Sequence, residues 1–125
     1  MATDPVEKLR ALCLRFPGTV EKEAWGEPTF RATKIFAICS HADNRHGAGR
    51  PAVWIKANAS NQALLIESDP ARYFKPPYVG PAGWIGVWLD RRPQWTDVAS
   101  LLDDGYRQVA PKKLLAELDA RSLSG

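Results

Sequence analysis

Two short stretches of this chain interleave aromatic and cationic residues with aliphatic ones. In Ala52-Val53-Trp54-Ile55-Lys56-Ala57, alternation sends Val53, Ile55 and Ala57 one way and Trp54 and Lys56 the other. In Gly83-Trp84-Ile85-Gly86-Val87-Trp88-Leu89, it sets Ile85, Val87 and Leu89 against Trp84, Gly86 and Trp88. A period of two belongs to a β-strand, whose successive side chains leave opposite faces. With the aliphatic set packed on helices, Trp54, Lys56, Trp84 and Trp88 share the other sheet face. Arg31 joins them from the preceding ribbon, Lys34 adds a further phosphate contact, and Phe36 follows if its strand keeps register. Rings interleaved with Arg and Lys are how a sheet holds single-stranded nucleic acid, the rings stacking on bases and the cations meeting phosphates. Two other readings compete. The same aromatics suit a small molecule or a protein, or the loop from Ala71 to Pro81 or a second subunit covers the face and the tryptophans are core.

Catalytic chemistry is harder to find. The chain has no Gly-x-Ser-x-Gly elbow, no Gly-rich phosphate loop after a strand, and no Cys-x-x-Cys or His-x-x-x-His pair. His41, Asp43 and His46 fall within six residues, but a Gly-flanked polar loop reads as a solvated connection rather than a metal site. An enzyme built on His41, His46 or Tyr78 is the weakest of three functional classes. The expectation is a non-enzymatic binding module with no cofactor and no metal.

The distribution of charge agrees with the first class. Net charge is +3 and the pI near 9.0. Residues 28–57 carry five basic side chains against one acidic, and residues 72–113 carry seven against four. The excess lies on the segments read as sheet and its flanks, where it can attract phosphates or another acidic partner. Arg91-Arg92 and Lys112-Lys113 read as solvated turn or helix ends.

At 125 residues the chain is expected to form one domain, 1–125, and its 45% apolar content is that of a soluble globular protein. No apolar run reaches the roughly 20 residues of a membrane span. Met-Ala-Thr-Asp-Pro lacks a signal pattern, and Cys13 and Cys39 sit among apolar residues, so buried free thiols and a cytoplasmic location are expected.

The elements that must position the aromatic face follow in order. Asp4 caps a helix that Pro5 opens, with Val6, Leu9, Leu12, Cys13 and Phe16 as its apolar stripe. Pro17-Gly18 stops it. Strands are predicted over Thr19–Trp25, Thr29–Arg31, Lys34–Ser40, Ala52–Ala57 and Gly83–Leu89. Asn58 or Ser60 caps a helix to Glu67 that packs through Leu64, Leu65 and Ile66. Thr96 or Asp97 caps another carrying Val98, Leu101, Leu102, Tyr106 and Val109, where Gly105 permits a kink. Pro111 opens a last turn or two with Leu114, Leu115 and Leu118. Helix, strands, then helices is the order of an α+β fold with an antiparallel sheet packed on one face by N- and C-terminal helices.

Several of these residues carry a resemblance. Phe16-Pro17-Gly18, Trp25-Gly26-x-Pro28-Thr29-Phe30-Arg31 and Lys34-Ile35-Phe36-Ala37 form its first half. Pro76-Pro77-Tyr78-Val79-Gly80-x-x-Gly83-Trp84 and Tyr106-Arg107-x-Val109-Ala110-Pro111-Lys112-Lys113 form its second. Together they resemble the MmcQ/YjbR family over roughly residues 5 to 118. The resemblance implies a CyaY-like fold and a DNA-binding role, and supports Arg31 and Lys34 by position. Frataxin-like iron handling does not follow. It needs massed carboxylates, and the first helix sets Glu7 beside Lys8, Arg10 and Arg15.

Overall fold

The computed structural model describes residues 4–24, 26–40, 51–90 and 93–124. The His41, Asp43 and His46 reading, Trp25 and the Arg91-Arg92 pair lie outside the described residues. Helix α1, Pro5–Leu14, begins where Asp4 Oδ1 accepts from the Val6 amide at 2.9 Å, with Pro5 in its first turn. Strands β1 (Val20–Ala24), β2 (Glu27–Ala32), β3 (Lys34–Ser40) and β4 (Ala52–Ile55) follow. Helix α2, Ala59–Ser68, is capped by Asn58, whose Oδ1 accepts from the Asn61 amide. Then come β5 (Tyr73–Phe74), a 3-10 turn at Gly80–Ala82, β6 (Ile85–Trp88), α3 (Trp95–Val109) and α4 (Lys112–Ser124).

The strands form one antiparallel sheet in the order β1-β2-β3-β4-β6-β5. Residues directly opposite across a ladder share a face. Val53 therefore lies with Cys39, Val87 and Tyr73 on one face, and Ile55 with Ala37 and Ile85. These residues form the main core with Leu9 and Cys13 of α1 and Val98, Leu102 and Tyr106 of α3. Leu65 and Ile66 of α2 and Leu114, Leu115 and Leu118 of α4 pack against it. The α+β reading and its single helical face match what is found. Both cysteines are free and buried. Among the described residues, no helix is long and apolar enough to cross a membrane.

Several local expectations give way to packing. Phe36 faces the helices, not the second face. A register shift between Phe30 and Arg31 lets consecutive Phe36 and Ala37 both enter the main core. Phe36 meets Tyr106 edge-on at 5.5 Å, while Phe16 stacks on Tyr106 at 4.8 Å. Ile35 packs on the opposite face, Leu12 and Phe16 are only partly buried, and Leu64 is exposed. Helix α3 begins two or three residues early, at Trp95, and leaves Asp97 in its first turn. Gly105 does not break it. A Cβ there would lie 2.9 Å from the Lys56 carbonyl oxygen, so glycine lets α3 approach β4 closely. Helix α4 is a full 13 residues, longer than the turn or two expected, because its leucines reach the core.

Candidate nucleic-acid interface

The second face of the sheet is built from two neighbouring rows. In one, Lys22, Thr29, Ile38, Trp54, Gly86 and Phe74 lie side by side across all six strands. In the other, Val20 opposes Arg31 and Arg31 opposes Ile35. Lys56 joins this second row: its amide donates to the Phe36 carbonyl at 3.0 Å, and its Nζ lies 6.0 Å from the centre of the Trp84 ring. Trp88, opposite Ala52, shares the face. Alternation thus places Arg31, Trp54, Lys56, Trp84 and Trp88 together. Lys34 stands apart, exposed at the tip of the β2–β3 hairpin, where Thr33 adopts φ +77°.

Burial divides this set. Ile38, Trp54 and Trp84 form a second, smaller core, with Ile35, Phe74 and Val79 packed against it. Trp54 and Trp84 are only 6% and 7% exposed. Phe74 lies over Gly86, where a Cβ would collide with its ring, and stacks on Trp88 at 4.1 Å. The loop after β5 is held down by Gln62, whose Nε2 donates to the carbonyls of Gly80 at 2.9 Å and Trp84 at 2.5 Å. Of the readings open for this face, the covered one therefore holds at Trp54 and Trp84. Two polar atoms there, Trp54 Nε1 and Ser40 Oγ, are buried without a hydrogen-bond partner among the described residues.

The cations differ in their pairing, and the difference is not one of face alone. Lys8 of α1 and Lys112 and Lys113 of α4 also meet no carboxylate among the described residues. On the helical side, Arg10 is bonded to Glu7 and, at 2.7 Å, to Glu21. Arg107 meets Asp103 at 2.6 Å and Asp119 at 3.1 Å, and Arg121 meets Glu117 at 3.2 Å. Among the described residues, Arg31, Lys34 and Lys56 meet no carboxylate, and Arg31 only reaches Thr29 Oγ1 at 3.4 Å. Lys22, exposed and diagonal to Arg31, belongs with them. Period-two reading of Glu21-Lys22-Glu23 could have found it.

The sequence pattern of the YjbR family matches residues 14–108. The chain belongs to the YjbR family. Two solved structures share its fold. A Deinococcus radiodurans protein with a DUF419 domain is 19% identical with a TM-score of 0.69, over 90% of this chain and 85% of that one. A Pseudomonas syringae protein is 14% identical with a TM-score of 0.68, over 82% of this chain and 97% of that one. No curated protein matches the chain. The YjbR match takes in β1 to β6 and nearly all of α3, and so every residue of the second face named above.

A cleft of about 480 Å³ opens elsewhere, between α2, β5 and α3, with Asp69, Arg72, Tyr73 and Asp97 in its lining. Burial, and then the Asp97 charge, pushes the Tyr73 hydroxyl above its ordinary pKa. Arg72 Nε lies 3.7 Å from Asp69 Oδ2 on the segment that joins α2 to β5. Among the described residues, no group of three His, Cys, Asp or Glu side chains could hold a metal ion.

Proposed function

We propose that this YjbR domain is a non-enzymatic module that binds nucleic acid through the cations of its second sheet face. The observation that carries the reading is the absence, among the described residues, of carboxylate partners at Arg31, Lys34 and Lys56, while Arg10, Arg107 and Arg121 on the helical side are ion-paired. An unpaired cation gives up no existing ion pair to meet a phosphate, so its binding energy is undiminished. With Lys22, these cations spread over β1 to β3 and the end of β4, which suits an extended polyanion better than a single phosphate. Trp54 and Trp84 then act as the floor under the cations, not as stacking platforms.

Fluorescence anisotropy with mixed-sequence oligonucleotides tests this against salt. Log affinity should fall linearly with log salt, with a slope of about −0.7 per single-strand phosphate contacted. Lys56→Ala should weaken binding to all sequences alike and lower the slope by about 0.7, the share of one phosphate contact. No binding at low salt overturns the reading.

A small-molecule reading rests on a different observation, Trp54 Nε1 and Ser40 Oγ beneath the same face, which have no hydrogen-bond partner among the described residues. It requires binding that is nearly indifferent to salt.

A further inference from the structure

The cleft between α2, β5 and α3 lies on the helical side of the sheet, away from the cations of the second face. Tyr73 of β5 stands opposite Val87 and belongs with it to the main core. Tyr73 is 7% exposed, and the half-buried Leu65 of α2 and Leu101 of α3 share the lining with it. A volume of about 480 Å³ is within the range of small-molecule sites.

The turn after α2 sets the charge of this lining. The Asp69 carbonyl accepts from the amides of Arg72 and Tyr73, each at 3.0 Å, and the Arg72 carbonyl accepts from the Trp88 amide at 3.0 Å. Arg72 Nε lies 3.7 Å from Asp69 Oδ2, so that carboxylate offsets its charge. Asp97, in the first turn of α3, meets no cation among the described residues. The charges that act on the Tyr73 hydroxyl are Asp97, Arg72 and Asp69, two negative and one positive. Helix α2 also ends at the cleft, through Ser68, and has no basic side chain in its last turn. The negative end of its dipole adds to the Asp97 charge. The lining is therefore anionic on a chain whose net charge is +3.

Such a lining repels phosphates and other anions. It does not suit a divalent metal ion either, which wants several carboxylate oxygens on one centre, a grouping absent among the described residues. A monocation with an apolar body matches both halves of the cleft. Its charge meets Asp97, its carbon body covers Leu65 and Leu101, and an aromatic ring such as that of Tyr73 attracts cations at its face. We infer that this cleft is a binding site for a small organic ammonium ion with an apolar body. The site is separate from the phosphate-binding reading, which concerns the other face of the sheet.

The test is an NMR titration of the full chain with phenethylamine, which is protonated at neutral pH. Phenethyl alcohol replaces the ammonium by a hydroxyl, and phenylacetate replaces it by a carboxylate. Phenethylamine should shift the amides of residues 68–73 and 95–101 saturably. The alcohol should bind about tenfold more weakly, and phenylacetate more weakly still. Asp97→Asn should weaken the amine by about tenfold and bring it level with the alcohol. Ser100→Phe puts a ring into the cleft from an exposed position, and should abolish binding while leaving the thermal midpoint near that of the native chain. Equal affinity for amine and alcohol overturns the inference, as does an amine that produces no saturable shift in those two segments. Unchanged amine affinity in a folded Asp97→Asn chain overturns it as well.

Discussion

The Tyr106 hydroxyl donates a buried hydrogen bond to the Pro17 carbonyl oxygen, 2.6 Å away in space and 89 residues away in sequence. It ties α3 to the turn that ends α1, with the ring between Phe16 and Phe36. Tyr106→Phe keeps the ring and removes only the donor. The expected loss is about 1–3 kcal/mol, the cost of a buried carbonyl deprived of a partner. Denaturant melts should show a lower midpoint with an unchanged slope.

The two thiols give a prediction in pH. Burial, followed by the Glu27 charge, pushes the Cys39 thiol up to about 12, and burial pushes Cys13 up as well. Both fold as neutral thiols and ionise more easily when unfolded. Their stabilising effect is thus complete below the ordinary thiol pKa of about 9 and fades as pH rises toward the folded values. Stability should fall by about 1 kcal/mol per thiol near pH 10. Cys39→Ala, although less stable at neutral pH, should lose less between about pH 8 and 10. A native chain with constant stability across that range would refute the account.

Trp54 and Lys34 should separate cleanly. Trp54→Ala removes most of a ring from the smaller core and should cost about 3–5 kcal/mol of stability. Lys34→Ala changes an exposed hairpin tip and should cost under about 0.5 kcal/mol. Paired melts and oligonucleotide titrations check both. Any binding defect at Trp54 should track unfolding, and one at Lys34 should appear at full stability.

Local rules made the sheet legible. Alternation in Val53-Trp54-Ile55 and Ile85-Gly86-Val87 sorted the faces, and Asp4-Pro5 and Asn58 marked two helix starts. Failures came where distant residues decide. No local period announces the shift at Phe30/Arg31 that turns Phe36 inward and leaves Ile35 on the other face. Strand β5 is two residues long inside a proline-rich loop and owes its pairing to β6. The cover on Trp54 and Trp84 comes from Phe74 and Val79, whose reach depends on the loop path. The phosphate-binding candidates were readable because sheet register follows from alternation. Their lack of carboxylate partners among the described residues was not, because it depends on where the acidic side chains come to rest.

The order of strands also bears on how copies of this chain meet. Strand β1 bounds the sheet on one side and β5 on the other. An open ladder is a template for further strands, and stacked templates become fibres. β5 offers only two residues to such growth. β1 is longer, but a second β1 laid antiparallel about Lys22 would set Glu21 of each copy against Glu23 of the other. Like charges directly opposite across a ladder are destabilising, so this pairing is disfavoured. The same acidic strand that leaves positive charge to its neighbours thereby guards the chain against amyloid-like polymerisation.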